Sequence, residues 1–234
     1  MIITKYNKML DSDIIVANET SAYPKDNMLS EALVEATLIS SYTLVGGILS
    51  SVTGSKILVV KVSDNVTSLK IEGGTPPFLN NIATITTKYD GFFIYDLGVS
   101  TDDYYQLTPY GTGDLFFNWL YVGEYLEFPD LNIGSYPEIV KENITNETSS
   151  GQVYTTSGVA HYEQEVSFSN IDRDDYLVFE DWYKSVSSSY NQLFYQYNSR
   201  LDDYPPFYCS ITEFQPTSRS RDYYDFKITI REAK

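Results

Sequence analysis

The sequence predicts a mainly β protein, with an N-terminal β-sandwich of the jelly-roll type followed by a smaller β-rich domain that carries one amphipathic helix. Short runs of β-branched and aromatic residues recur along the first half of the chain, with turn-forming residues between them. A later stretch has apolar residues at helical spacing. The length of 234 residues is enough for one large β domain or two modest ones.

The strands of the sandwich are predicted from runs rich in Val, Ile, Thr, Tyr and Phe, which favour a pleated, half-buried surface. Turn chemistry separates these runs at Asp64-Asn65, Gly73-Gly74, Pro76-Pro77, Asp90-Gly91 and residues 109–113. The predicted strands are Ile57–Val62, Val66–Glu72, Ala83–Tyr89, Gly91–Leu97 and Leu115–Leu126.

A change in composition divides the chain, because every arginine lies at or after Arg173 while the earlier basic residues are all lysines. The segment from Leu131 to Gly158 contains Gly134, Pro137 and Gly151 and a cluster of Thr, Asn, Glu and Ser residues, which is typical of a connector or an extended loop. We therefore expect an N-terminal arm (1–21), a β-sandwich domain (22–130), a connector or extended loop (131–158) and a β-plus-helix domain (159–234).

The second domain is predicted to contain one helix between β-strands. The helix spans Asp172 to about Ser188, because Tyr176, Phe179, Tyr183 and Val186 recur on one face and the acids Asp172, Asp174 and Asp175 occupy its first turn. The predicted strands of this domain are Val166–Ser169, Gln192–Tyr197, Phe207–Thr212 and Asp225–Arg231.

Composition argues against catalysis and against a metal or other cofactor. The chain has 22 tyrosines but one histidine, His161, and one cysteine, Cys209, so a hydrolase triad or a zinc site is hard to build. Acidic pairs such as Asp102-Asp103, Asp174-Asp175 and Asp202-Asp203 are typical of turns and helix caps. We expect a protein without enzymatic activity, in which His161 is a surface or edge residue and Cys209 a small core residue.

The charge balance and hydropathy limit the partners and the compartment. A formal net charge of -16 disfavours stable binding to nucleic acid or an anionic membrane. No stretch approaches the roughly 20 apolar residues of a spanning helix, and the start lacks the apolar run of a secretory signal. A single cysteine cannot form an internal disulfide, which indicates synthesis in a reducing cytoplasm.

Tyrosine clusters supply the candidate contact residues. Tyr104, Tyr105 and Tyr110, beside Asp102, Asp103 and Asp114, have the chemistry for sugar stacking or Ca²⁺ binding, but the same residues suit a polar hairpin that covers the sandwich edge. Near the C-terminal sheet, Tyr183 and Phe194 are predicted to lie in the core. Tyr195 and Tyr197 are then the candidates for outward contacts, by strand alternation.

Several segments of the chain resemble those of a known class of proteins. The runs YPKDNML (Tyr23–Leu29), Ile82–Leu97 and FFNWLYVGEYLEFP (Phe116–Pro129) resemble the discoidin-like β-sandwich of many tailed-phage virion proteins. The remainder, from YEQEVSF (Tyr162–Phe168) through the helix to KITIRE (Lys227–Glu232), resembles the small β-plus-helix domain of phage distal-tail or baseplate-adaptor proteins. The pattern departs from the family at residues 38–42, where a tryptophan is usual and none occurs.

The resemblance implies a non-enzymatic structural subunit of a bacteriophage tail, baseplate or tail-tip ring in the virion, made in the host cytoplasm. Its partners are then further copies of itself in a ring and other tail proteins. The alternative is an accessory module that binds carbohydrate and helps to recognise a host surface glycan. The acidity fits a channel lining that does not retain DNA, and it equally fits a simple role in solubility.

Overall fold

The computed structural model describes residues 2–4, 14–17, 21–25, 27, 37–39, 41–46, 55–99, 102, 104–127, 136–147, 149–187, 193–196, 205–218 and 222–233. These residues form two compact units. The N-terminal unit covers Ile2–Glu127 together with Asn198–Pro206, and the C-terminal unit combines Phe128–Tyr197 with Phe207–Lys234. The prediction of a mainly β chain is confirmed, and the described residues contain one helix, late in the sequence as predicted.

The N-terminal unit contains two antiparallel sheets. One has the order β1-β10-β5-β8, with β3 also pairing with β10, and the other has the order β2-β4-β9-β6-β7. The strands are β1 (Ile2–Thr4), β2 (Ile14–Val16), β3 (Thr37–Leu38), β4 (Thr43–Gly46), β5 (Lys56–Val62), β6 (Val66–Thr75), β7 (Phe78–Ile85), β8 (Phe92–Gly98), β9 (Tyr104–Gly111) and β10 (Phe116–Glu127).

The core of this unit lies between the two sheets. Each sheet contributes alternate apolar side chains that are almost fully buried, as expected for a sandwich. The first sheet supplies Leu58, Val60, Val62, Phe93, Phe117, Leu120 and Val122. The second supplies Ile14, Val16, Val45, Val66, Leu69, Ile71, Tyr105 and Leu107. Strand β5 is apolar on both faces, because Ile57 and Val59 are buried too.

Two expectations about the N-terminal unit are wrong. Residues 1–21 do not act only as an arm, since β1 pairs with β10 and β2 pairs with β4 inside the sheets. The polar hairpin expected around Tyr104 is a strand, β9, which lies between β4 and β6. The acids that flank β9 and the Pro-Gly turn signals at its end concealed its alternating pattern of buried and half-buried residues.

The C-terminal unit is one antiparallel sheet with a helix. The sheet order is β11-β12-β15-β14-β13. Its elements are β11 (Glu138–Glu147), β12 (Val153–Asp172), α1 (Arg173–Ser187), β13 (Leu193–Gln196), β14 (Phe207–Ser218) and β15 (Tyr223–Glu232).

Helix α1 begins as the sequence predicts, but its buried face contains Trp182 where Tyr183 is predicted. Trp182 follows Phe179 by three positions and meets its ring, whereas Tyr183 is half-buried and stacks on Phe214 at 4.6 Å between ring centroids. The Asp172 carboxylate accepts hydrogen bonds from the backbone N–H groups of Asp174 and Asp175, both at 3.0 Å, and so caps the helix. The buried face carries Tyr176, Phe179, Trp182 and Val186. The rings of Tyr176 and Phe179 meet those of Phe168, Phe214, Tyr224 and Phe226 on the sheet.

The prediction of a connector or extended loop over 131–158 is wrong for most of its length. Glu138–Glu147 is strand β11, and β12 begins at Val153. Asn, Glu and Ser suggested a loop, but the valines, threonines, isoleucines and tyrosines between them suit a strand. Gly151, with φ of 80°, supplies the left-handed conformation at the turn between the two strands.

Candidate functional site

The outer face of strand β9 brings together two of the tyrosines that the sequence singled out. Side chains alternate along β9, so Tyr104, Gln106, Thr108 and Tyr110 share the face that points away from the core. Tyr110 follows Tyr104 by six positions, which places the two residues about 20 Å apart along the strand. Tyr110 is exposed and Tyr104 is half-buried.

A hydrogen-bonded cluster lies between these two rings. On the neighbouring strand β6, the Glu72 carboxylate accepts a hydrogen bond from Lys70 Nζ at 2.8 Å and another from Gln106 Nε2 at 3.0 Å. The bond to Glu72 raises the pKa of Lys70, which therefore stays charged at neutral pH. The outer face thus presents a charged and amide-bearing strip between two aromatic rings.

The Tyr104 ring lies directly against Gly46 of the adjacent strand. A Cβ atom at Gly46 would come within 1.9 Å of Tyr104 Cδ1, so a glycine is needed for this close approach. The register agrees, because Gly46 and Tyr104 are partners across the β4–β9 pair. This contact covers part of the ring, which explains why Tyr104 is only half-exposed.

Two of the five candidate tyrosines are not surface residues. Tyr105 has an exposed fraction of 0% and belongs to the sandwich core, because strand alternation turns it away from Tyr104. Tyr195 is also 0% exposed, and its hydroxyl donates a hydrogen bond to Gln164 Oε1 at 2.5 Å. The expectation of outward contacts is therefore wrong for both residues. Tyr197 lies outside the described residues.

The acids considered for Ca²⁺ do not form one site. Asp102 precedes β9 and Asp114 follows it, so the length of the strand, about 26 Å, separates them. Asp103 lies outside the described residues. Within the described ranges, no group of three His, Cys, Asp or Glu side chains is arranged to hold a metal ion.

A second candidate surface, which sequence reasoning missed, is a two-stranded arm formed by residues 139–162. Strand β15 pairs with β12 only over Glu163–Asp172, whereas β11 continues the pairing from Ile139–Tyr162 to Glu147–Val153. Over this stretch, β11 is the only described strand that pairs with β12. Nine residues of β11 give the arm a length of about 30 Å.

The arm exposes apolar side chains. Ile139 is 68% exposed and Val159 is 71% exposed, and Val153 and Tyr154 are also exposed. A two-stranded ribbon that pairs with no third strand is marginally stable in water. The sequence signal was the set of Val, Ile and Tyr residues on either side of Ser149–Gly151, which is typical of a hairpin.

The buried titratable groups include Lys56, His161, Tyr208 and Cys209. Cys209 and Tyr208 lie side by side in β14, and burial raises the pKa of both. The Lys56 side chain is fully buried, and this burial lowers its pKa while the charges of Asp102 and Glu124 oppose the shift. His161 was expected at a surface or edge but is 6% exposed, with Nε2 3.6 Å from a Glu163 oxygen.

No helix among the described residues is long and apolar enough to cross a membrane. Comparison of the chain with protein-family models and with curated proteins gives no match in either case.

Proposed function

We propose that the protein is a non-enzymatic structural subunit of a bacteriophage tail, baseplate or tail-tip ring, which assembles through protein–protein contacts. The observation that carries the proposal is the arm, residues 139–162. A ribbon about 30 Å long with apolar side chains exposed is costly in isolation, and a partner protein that covers it removes that cost.

The edge of the arm supports the same proposal. Strand β11 pairs only with β12 among the described strands, so its other edge presents backbone N–H and C=O groups. Assembly proteins use such edges to bind a further strand. A chain that has two units can also offer two different surfaces, as head-to-tail rings require.

The assignment to a phage tail rests on the resemblance of Tyr23–Leu29, Phe116–Pro129 and the C-terminal residues to tailed-phage virion proteins. The two-unit, mainly β architecture fits that resemblance. Partners are then further copies of the chain and neighbouring tail proteins, and the protein resides in the virion.

A shortened arm tests the proposal. Replacing residues 142–159 by Asn-Gly closes the hairpin at the pair Lys141–Ala160 with a two-residue turn and leaves the rest of the sheet intact. We expect the wild-type chain to form multimers or to co-purify with co-expressed tail proteins, and the shortened chain to do neither. Sedimentation velocity and pull-down measure this, and an unchanged thermal transition serves as the folding control.

Two results would contradict the proposal or the role it gives to the arm. A wild-type chain that stays monomeric at high concentration and binds none of the co-expressed tail proteins is not an assembly subunit. If the shortened chain assembles like the wild type, the arm is not the surface through which the subunits assemble.

A second candidate function, carbohydrate binding, is favoured by the shared face of Tyr104 and Tyr110. Tyrosine rings stack on sugar faces, and the strip of Gln106, Lys70 and Glu72 between them offers hydrogen-bonding groups to sugar hydroxyls. We expect Tyr104→Ala and Tyr110→Ala each to weaken binding to a host surface polysaccharide. The matched control is Tyr223→Ala, which removes an exposed tyrosine from the C-terminal sheet. Flat glycan-array profiles for the wild type would eliminate this function.

A further inference from the structure

We propose that copies of the chain join head to tail by strand addition, with β11 of one copy pairing along the free edge of β7 of a second copy. This inference rests on the proposed function and specifies how the subunits bind one another. Among the described strands, β11 pairs only with β12, and β7 pairs only with β6. Each strand therefore presents a row of backbone donors and acceptors on its other side.

Strand β7 lacks the charged residues that protect most edge strands from pairing. No charged residue occurs from Gly73 to Thr87, and β7 itself contains neither lysine nor proline. Phe78, at the start of the strand, is 82% exposed. An uncharged edge with an exposed aromatic ring is a site where another strand binds.

The two edges match in length. A register shift interrupts β7 at Ile82 and another interrupts β11 at Glu142, and such bulges limit pairing on an edge. On β7 the regular segment before the bulge is Phe78–Asn81, and on β11 the regular segment after the bulge is Asn143–Glu147. Each is four or five residues long, so both span about 15 Å.

The distribution of charge favours β7 as the strand that β11 of a second copy binds. Strand β11 contains three glutamates and one lysine in the sequence EIVKENITNE, and the whole chain carries a formal net charge of -16. An acidic strand is repelled by most of the surface of a second acidic copy. The uncharged β7 edge removes that repulsion at the point of contact.

The two edges also lie on different units of the chain, β7 on the N-terminal unit and β11 on the C-terminal unit. A contact between two different surfaces is heterologous, so each copy that binds leaves one edge open for the next copy. Rings and filaments are built in this way, whereas a β11–β11 contact would stop at a dimer.

Mixing two blocked variants tests the inference. Phe78→Lys places a charge on the β7 edge and Thr145→Lys places one in the middle of the β11 segment. We expect each variant alone to self-associate at least about tenfold more weakly than the wild type. An equimolar mixture should form dimers that do not grow further, since each variant keeps one intact edge. Val178→Lys, on the exposed face of α1, is the matched control and should assemble normally.

Amide hydrogen exchange supplies an independent measurement. We expect peptides from β7 and β11 to gain protection when the wild-type protein passes from dilute monomer to assembly. Strand addition is overturned if both lysine variants assemble as the wild type does, or if assembly brings no new protection in these two strands. Either result leaves the proposed function standing. A wild-type chain that neither assembles nor binds a tail protein overturns both.

Discussion

Phe226 is the residue on which the helix–sheet packing of the C-terminal unit depends most. Its ring lies 4.6 Å from the centroids of both Phe168 and Phe179 and 5.6 Å from that of Phe214. Aromatic pairs at these distances add to the free energy of area burial. Many of the aromatic residues of this unit therefore serve packing.

Phe226→Ala should lower the free energy of unfolding by about 3–5 kcal/mol, because it removes a buried ring and leaves a cavity. Urea unfolding followed by tryptophan fluorescence measures the change. Val178→Ala, at an exposed position of α1, is the control and should change the free energy by less than about 0.5 kcal/mol. A loss below about 1 kcal/mol for Phe226→Ala would contradict the described packing.

Tyr208 makes stability depend on pH in the alkaline range. Burial raises the pKa of Tyr208 well above that of an unfolded tyrosine, which is near 10. Above that pH the unfolded chain releases a proton that the folded chain keeps, so the free energy of unfolding falls as pH rises. This stabilising contribution is complete below the unfolded pKa and is lost as pH rises toward the folded value.

We expect the melting temperature of the wild type to fall more steeply between about pH 9 and about pH 11 than that of Tyr208→Phe, which has no phenol to ionise. Tyr223→Phe, at an exposed tyrosine, is the control and should follow the wild type. Parallel curves for Tyr208→Phe and the wild type would show that Tyr208 does not contribute.

At the scale of elements, the position of helix α1 can be predicted from the sequence alone. The acids at its start and the apolar spacing placed it at Asp172 to about Ser188, and the structure has it at Arg173–Ser187. The cap is a contact between residues two and three positions apart, so no tertiary information is needed to predict it.

Asp172→Ala should therefore destabilise the protein by about 1 kcal/mol, because it removes the acceptor for two N–H groups. Thermal unfolding monitored by circular dichroism checks this. Asp181→Ala, in the middle of the same helix and exposed, removes the same charge without a cap and should have a smaller effect. Equal losses in both variants would indicate a charge effect rather than capping.

Strands β9 and β11 show where sequence reasoning fails. Both contain residues that are typical of turns, such as Pro109 in β9 and Asn143 and Asn146 in β11. The strand character of β9 comes from pairing with distant residues, for example Tyr105 with Val45 and with Gly73, whereas β11 pairs with β12 across a hairpin turn. Such register is a tertiary property, which local propensity does not encode.

For the candidate surfaces too, local patterns can be predicted from the sequence, whereas tertiary contacts cannot. Alternation along β9 correctly separates Tyr104 from Tyr105 once the strand is known, but the sequence did not indicate the strand. Tyr195 was expected outside because Phe194 was expected inside, yet both are fully buried. Alternation fails there because both faces of β13 are covered.

At the scale of the whole molecule, a net charge of -16 opposes association between copies. Salt screens this repulsion, since the Debye length falls from about 10 Å at 0.1 M to about 3 Å at 1 M. The backbone and apolar contacts proposed for β7 and the arm do not depend on charge attraction.

Self-association should therefore strengthen as ionic strength rises from about 0.05 M to about 0.5 M. Salt screens the charge repulsion between two acidic copies but does not screen the backbone and apolar contacts that hold them together. Sedimentation velocity at several salt concentrations measures the association constant. Weaker association at higher salt would indicate an interface held by ion pairs, contrary to the account.

Electron cryo-microscopy of the protein co-expressed with tail proteins, or of the native particle, shows whether the chain forms a ring. We expect density for this chain in a closed ring around the tail axis, with the arm of each subunit at the contact with its neighbour. Density confined to isolated, peripheral sites with the arm in solvent would contradict this expectation and favour recognition of a surface glycan.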